Sequence, residues 1–373
     1  LKMEFTISRD TFLKSLSHAY GIIEKKTTLP ILSNILIEAK DSKIRITATD
    51  LDIIYTEEIP LQELKKEGST TTSASVLYDI LRKLKVNSKV ELILQSTNKL
   101  KIISDNSTFN LLCISSDNFP LLNEETNEKV FEVSSQKLLK LLNKAKISIS
   151  GDETRHYLNG IYLHKTNLEN KSFLTGVATD SHRLSSSSLE IDSNTNFESI
   201  ILPKKTIFQL ISLLEQNKNA IKISNTKSKI KFIMDHGILV SKVIDGRFPD
   251  YSKVVPRDND KILMVKLNEF KNSIERVTTV SSDRKEGLKM IISKEALQLL
   301  VNNPNSGEGS ENIDAKFNSN DMSISFNSKY LIDIASQIEN DTITMNLKDP
   351  GSPVLIKDMS DKSSFYVIMP MKI

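Results

Sequence analysis

The chain has 373 residues, 39% of them apolar and 26% charged, with a formal net charge of +3. No apolar run reaches the ~18 residues that a bilayer span needs, and no signal-peptide pattern opens the sequence, so a soluble, cytoplasmic, multidomain protein is expected. Cys113 is the single cysteine, which excludes an internal disulfide and every Cys-based metal motif. Leu1 and Lys2, ahead of Met3, read as a cloning remnant and are set aside.

Six stretches carry apolar residues at helical spacing. In chain order they are Phe12/Leu13/Leu16/Ala19, Leu77/Ile80/Leu81/Leu84, Leu138/Leu141/Leu142/Ala145, Ile207/Leu210/Ile211/Leu214, Phe270/Ile274/Val277 and Leu331/Ile334/Ala335/Ile338. Between them, period-two stretches at 35–39, 43–48, 90–94, 220–224 and 342–347 predict antiparallel strands with one buried face. Turn formers at Asp41-Ser42, Thr97-Asn98 and Pro350-Gly351 punctuate them. Polar residues gather at 123–129 and 256–261, which reads as two domain joints, and 302–312 reads as an insertion-like loop without a core.

The elements repeat. FTISRDTFLKSL at 5–16 returns as FEVSSQKLLKLL at 131–142 and more faintly as LMVKLNEFKNSI at 263–274. Ala48-Thr49-Asp50 is answered by Ala178-Thr179-Asp180, and Phe119-Pro120 by Phe248-Pro249, at offsets of 126, 130 and 129 residues. A period this long means whole domains rather than short solenoid units. The expected fold is α+β: three repeated domains, at 3–124, 130–256 and 261–373, each of two similar halves with a helix packed on strands.

Charge is unevenly placed. The six predicted helices hold fourteen basic residues, among them Arg9, Lys140, Lys144 and Arg276, against six acidic ones, so the helices are basic and the remainder is acidic. On one helix a Lys-rich face is ordinarily a solvated surface. Shared by six equivalent elements, it favours a common positive surface that attracts phosphates without reading bases. A helix of about twelve residues is ~18 Å long and crosses several phosphates of a duplex.

Several strings then make the chain resemble one family. TLPILSN at 28–34, TATDL at 47–51, RHYLNG at 155–160, ATDSHRL at 178–184, VIDGRFPDY at 243–251 and YVIMPMKI at 366–373 are similar to those of bacterial DNA polymerase III beta subunits, the replicative sliding clamps. The resemblance covers residues 3–373. It implies a head-to-tail homodimer forming a six-domain ring, with twelve helices lining the hole and sheets outside. It also implies a processivity factor that encircles duplex DNA without sequence specificity. Its partners would be the replicative polymerase, the clamp loader and repair proteins carrying clamp-binding peptides, with no cofactor, metal or membrane.

Position by position, the resemblance places a partner-peptide pocket at Arg155, Leu158, Thr179, Ser181, His182, Arg183, Leu184, Pro249, Lys253, Val254, Asn327, Tyr330, Gly351, Pro353, Val367, Met369, Pro370, Met371 and Lys372. Ser181 stands where relatives often have glycine, Gly351 where they have a larger aliphatic residue, and Lys372 where arginine is common. DNA contacts carry over to Lys26, Arg82, Lys204 and Lys205, and to Asp152, His156 and Tyr157 in the 150–157 loop. Phe109 and Leu111 are expected to meet Thr279 and Val280 of a second copy, with the loop residues Glu308 and Glu311 outside them.

Catalysis is the competing reading of Asp180, Ser181 and His182, which with Ser185–188 hold every residue type of a hydrolase triad. Adjacent positions cannot easily converge on one substrate, and the chain has neither a nucleophile elbow nor a glycine-rich phosphate loop. Asp50 and Asp180 are instead expected to hold turns through side-chain-to-backbone hydrogen bonds. His18, His156, His164 and His236 show no metal-ligand spacing along the chain. A scaffold that keeps the peptide pocket but no longer encircles DNA is the alternative function, and the basic helices argue against it.

Overall fold

The computed structural model describes residues 3–122, 129–281 and 287–372, so all of the expected joint at 123–129 except Lys129 lies outside the described residues. The six expected helices are present: α1 Arg9–Tyr20, α2 Ala74–Lys83, α3 Ser135–Ala145, α4 Lys204–Leu214, α5 Leu267–Val277 and α6 Ser328–Ala335. Each is entered from a strand, and the residue at the switch is often a cap. Ser8, Ser73 and Asn327 accept hydrogen bonds from the first-turn N–H groups of Thr11, Val76 and Lys329. Among the described residues no helix is long and apolar enough to cross a membrane.

The chain forms two compact units. One holds residues up to Gln136 with 196–198 and 208–243, and the other holds 137–195, 199–207 and the chain from Ile244 onward. The second repeat is therefore shared between them. In unit 1, a 13-stranded sheet contains the strands of the first repeat and the closing strands of the second. The join is the antiparallel pairing of Ile53–Pro60 with Ile238–Lys242, with Ile54 opposite Val240. The inner faces of α1 and α2, Phe12, Leu16, Leu77 and Leu81, are fully buried.

Unit 2 repeats the device. Its nine-stranded sheet joins Arg183–Ile191 of the second repeat to Asp361–Ile368 of the third, with Leu184 opposite Val367. A further four-stranded sheet packs in the core of the third repeat. There Phe270 and Ile274 of α5 and Leu331 and Ile334 of α6 share one buried cluster with Met290, Met345 and Tyr366.

Two sequence expectations need correction. The supposed loop at 302–312 is a hairpin, in which Ala296–Asn303 pairs with Gly307–Asp314 and Asn303 faces Gly307 across the turn. Its second strand has no fully buried residue, which is why its composition reads as loop. A Cβ at position 309 would lie 3.0 Å from the Val277 carbonyl oxygen, so glycine lets the strand lie close to the end of α5.

The helix charges are also less available than their number suggests. Arg9 is buried, with its guanidinium donating to the Leu81 and Arg82 carbonyls at the end of α2. Lys140 pairs with Glu339, Arg276 with Glu311, and Lys144 is buried against Asp361. A linear count of cations cannot see acids that arrive from other repeats.

The Lys144–Asp361 pair yields a test. Burial opposes ionisation of Asp361, but Lys144, Ser363 and Ser364 outweigh it and hold the carboxyl below the usual carboxylate range. Removing the cation with Lys144→Ala should cost about 3–5 kcal/mol in urea denaturation, because a buried charge loses its partner. With the folded pKa below the unfolded one, the stabilisation is complete above about pH 4 and fades as pH falls further. Asp361→Asn in the Lys144→Met background should lack that acid dependence.

Candidate functional site

The hairpin of Lys171–Thr179 and Arg183–Ile191 turns at the ATDSHRL motif. Asp180 Oδ1 accepts from the N–H groups of His182 at 2.9 Å and Arg183 at 3.0 Å, and Thr179 Oγ1 donates to the Arg183 carbonyl at 2.7 Å. The first repeat builds the same turn. Asp50 Oδ1 accepts from Asp52 at 2.9 Å and Ile53 at 2.8 Å, and Thr49 Oγ1 donates to Ile53 at 2.8 Å. The expected role of both aspartates is thus present. Leu51 and Ser181 occupy equivalent positions with φ of 81° and 77°, the left-handed region where glycine is easiest.

This turn leaves little of a triad. Asp180 Oδ2 pairs with Arg183 Nε at 3.1 Å, and the His182 side chain is exposed. What the turn does is orient Arg183. Its guanidinium is buried, donates to Asp333 at 2.7 Å and lies over the Tyr330 ring at 4.2 Å. Arg155 reaches the same turn from another segment and donates to the Ser181 hydroxyl at 2.6 Å.

Beside the turn is an apolar cluster of Leu158, Val177, Leu184, Ile201, Phe248, Leu355 and Val367, with Tyr157, Tyr162 and Tyr251 packed against it. Tyr162 stacks on Phe248 at 4.9 Å, and His164 stacks on Tyr162 while its Nε2 lies 2.8 Å from the Tyr251 hydroxyl. Burial pushes His164 down to about 4 and, with Tyr162 and Asp250, pushes Tyr251 up to about 12, so both are neutral near pH 7. No charge from this pair lies behind the apolar patch. The patch is not wholly covered: Val254 is 53% and Met369 38% exposed.

The chain end is fixed across the top of the turn. Met369 N–H donates to the His182 carbonyl at 2.9 Å, and Met371 N–H donates to Ser325 at 2.7 Å. Leu158, Leu184 and Val367 therefore meet in one cluster, Thr179, Ser181, His182, Arg183, Arg155, Tyr330 and Met369 are linked to one another in the turn that leads into Leu184, and Met371 is anchored at Ser325. Pro249, Lys253 and Val254 flank Phe248 and Tyr251 in sequence, Pro353 precedes the strand carrying Leu355, and Asn327 caps α6. Pro370 links the two anchored methionines. Gly351 and Lys372 are exposed, and a Cβ at 351 would meet only Asp349 Oδ1, at 3.7 Å. Asp333, Tyr162, His164 and Leu355 belong to the site but were not read from the sequence. The alternation of Tyr162 and His164 on one strand was the available signal. A cleft of about 890 Å³ lies on unit 1 and includes none of these residues.

The expected DNA-contact residues fall into distinct settings. Lys26 is exposed, and Lys204 and Lys205 open α4, where cations coincide with the N–H groups of a helix start. Arg82 is exposed but pairs with Asp79 at 2.8 Å and lies over Tyr78. Asp152 orders its own loop by accepting from Thr154 and from Arg155 Nε, while His156 Nε2 lies 2.8 Å from the Asp245 carbonyl oxygen and Tyr157 packs on the apolar cluster.

Four of the six expected dimer residues lie on strands with an open side. Ser107–Ile114, carrying Phe109 and Leu111, pairs fully with Lys99–Ser104, but on its other side only Cys113 and Ile114 meet a strand. Residues 107–111 therefore have an open edge among the described residues, and the adjacent Leu112, missed from sequence, is 85% exposed. Gly307–Asp314 ends the four-stranded sheet, so Glu308 and Glu311 sit on an edge strand rather than a loop. Thr279 and Val280 follow α5 in a 3-10 turn, and the Ser306 hydroxyl donates to the Val280 carbonyl.

Repeated helix-on-sheet domains with open edge strands and a partly exposed apolar patch have the features of an assembly and docking protein. Comparison makes the class specific. Residues 3–123, 132–250 and 252–372 match the N-terminal, central and C-terminal domains of the DNA polymerase III beta subunit. The beta sliding clamp of Caulobacter vibrioides is 34% identical over 373 residues and that of Escherichia coli K12 is 31% identical over 371, each with 100% of both chains covered. The crystal structure of a sliding clamp from Bartonella birtlesii bound to griselimycin matches with a TM-score of 0.96 and 36% identity over 100% of both chains. A Caulobacter crescentus clamp structure matches with a TM-score of 0.96 and 33% identity, covering 100% of this chain and 99% of that one. The chain belongs to the DNA polymerase III beta subunit family, the beta sliding clamps.

The turn at Ser181 is directly testable. Glycine relieves its left-handed backbone, so Ser181→Gly should hold or raise stability by up to ~1 kcal/mol, less whatever the Arg155 bond contributes. Ser181→Val should lower it by about 1–2 kcal/mol. Equal melting temperatures for the two variants would mean that the turn's backbone is not limiting.

Proposed function

We propose that this chain is a DNA polymerase processivity factor that closes as a head-to-tail homodimer around duplex DNA and holds partner proteins through the apolar patch of unit 2. The full-length match to all three domains of the family carries this reading. The open edges at 107–111 and 307–314 are different surfaces on different units, which suits a heterologous contact that closes after two copies. Phe109, Leu111 and Leu112 on one edge would face Thr279, Val280 and the Glu308–Glu311 strand of the second copy.

Such a ring needs no tight contact with DNA. It retains the duplex by enclosure, and a diffuse positive lining from Lys26, Lys204, Lys205 and Arg82 gives weak, salt-sensitive attraction by counterion release. Several helix cations are already paired with acids, which keeps that attraction low. Asp152, His156 and Tyr157 fit loop ordering better than phosphate contact. The site of action is the cytoplasm, where the partners are the replicative polymerase, clamp loader and repair proteins.

The peptide would lie in extended form over Leu184, Val367, Val254 and Met369, with Arg155, Arg183, Tyr330 and the terminal residues at its rim. Each buried Leu or Phe contributes about 1.5–3 kcal/mol, which gives micromolar affinity after ordering costs. Removal of 369–373, and Met369→Ala as a separate variant, should each lower the affinity of a fluorescent clamp-binding peptide, the deletion at least ten-fold, and leave the oligomer intact. Unchanged anisotropy would place the pocket elsewhere. Loaded protein should stay on nicked circular duplex and run off the linearised form, and equal retention on both would contradict enclosure.

A further inference from the structure

The two repeats that meet in unit 1 share a buried polar cluster that neither the sheet nor the peptide patch uses. His18 projects from α1, Glu57 and Tyr55 from the strand Ile53–Pro60, and His236 from the turn before Ile238–Lys242. The side chains of His18 and Glu57 are each 3% exposed and that of His236 16%. The turn can descend onto the cluster because residue 237 is glycine: a Cβ there would lie 2.5 Å from the Tyr55 hydroxyl.

The orientation of the rings is fixed from outside. His18 Nε2 lies 2.7 Å from Gln216 Oε1, and His236 Nε2 lies 3.2 Å from the Leu213 carbonyl oxygen. With each Nε2–H donated outward, both Nδ1 atoms face inward. His18 Nδ1 is 2.8 Å and His236 Nδ1 3.7 Å from the same oxygen, Glu57 Oε1, and the Tyr55 hydroxyl is 2.8 Å from it. The other carboxylate oxygen, Glu57 Oε2, is buried without a hydrogen-bond partner. Two inward nitrogens, a carboxylate and a phenol converge on one point, the Tyr55 hydroxyl also lying 3.0 Å from His236 Nδ1, and the ligand atoms of His18, Glu57 and His236 all lie within 4.8 Å of one another.

We propose that His18, Glu57 and His236 form a two-histidine, one-carboxylate site for a transition-metal ion of the Zn²⁺ type, with the Tyr55 hydroxyl or a water as fourth ligand. Imidazole donors select this class over Mg²⁺ or Ca²⁺, and outward-bonded Nε2–H groups are the usual support of metal-binding histidines. Tetrahedral ligands around Zn²⁺ stand roughly 3.3 Å apart. The distances to Glu57 would change by about half an ångström from the 2.8 and 3.7 Å seen here, and the two histidine nitrogens, now within 4.8 Å of one another, would close toward each other by a side-chain rotation. His236 also lines the 890 Å³ cleft, which gives an ion a route in. Because His18 and Glu57 come from the first repeat and His236 from the second, a bound ion would tie the two together.

The test uses the untagged full-length protein stripped with a chelator. Calorimetric titration with ZnCl₂ should give one site per chain, Co²⁺ should develop tetrahedral visible absorption, and Zn²⁺ should raise the melting temperature. His236→Asn and Glu57→Gln, checked for fold by circular dichroism, should each weaken binding at least ten-fold. Should either variant fail to fold, X-ray absorption of the zinc-loaded wild type should still report two imidazoles and oxygen ligands. No stoichiometric binding by the wild type would mean that the cluster holds only a proton between His18 and Glu57, and would overturn the proposal. Binding undiminished in folded His236→Asn, or a spectrum with fewer than two imidazoles, would do the same.

Discussion

Along the outer strand of a sheet, backbone N–H and C=O groups must find another strand, a side chain or water, and a long bare edge invites a second chain. The repeats of this protein bring such edges to one another. The first and second repeats cover one pair by aligning Ile53–Pro60 with Ile238–Lys242, and the second and third cover another by aligning Arg183–Ile191 with Asp361–Ile368. Among the edges still open in the described residues are 107–111 and 307–314, which belong to the outer repeats. Under the proposed function, these are the two surfaces that would meet on a second copy.

The apolar patch proposed for docking depends on the same pairing. Leu184 and Val367 are 183 positions apart and become direct neighbours only because their strands are aligned across the repeat boundary. The terminal residues then follow the rim of the turn, with Met369 bonded to His182 and Met371 to Ser325. Arg183, fixed by Asp180, Asp333 and Tyr330, stiffens the side of the patch. The polar cluster of His18, Glu57 and His236 is a product of the other boundary, where the turn at Gly237 sits over Tyr55.

Local patterns made much of this legible in the sequence. The 3.6-residue spacing marked all six helices, the alternation at 43–48 and 342–347 marked strands, and the Thr-Asp turns at Asp50 and Asp180 have the hydrogen bonds their chemistry requires. The pocket's apolar residues were reachable through family strings, each local. What stayed hidden arises from contacts between distant segments: the division of the second repeat between two units, the pairing of Lys144 with Asp361, and the meeting of His18 with His236. The strand at 307–314 was missed for a different reason. An edge strand that buries no whole side chain has no apolar alternation to read, only Gly, Ser, Asn and acidic residues around the single Ile313.

If edge closure is what completes the assembly, it governs the particle's mass. Light scattering on the purified chain at micromolar concentration should give twice the mass of one chain, and Phe109→Asp with Leu112→Asp on the open edge should reduce it to one while circular dichroism stays native. A wild-type protein that scattered as a single chain throughout that range would contradict the account, because the two open edges would then be satisfied by water alone.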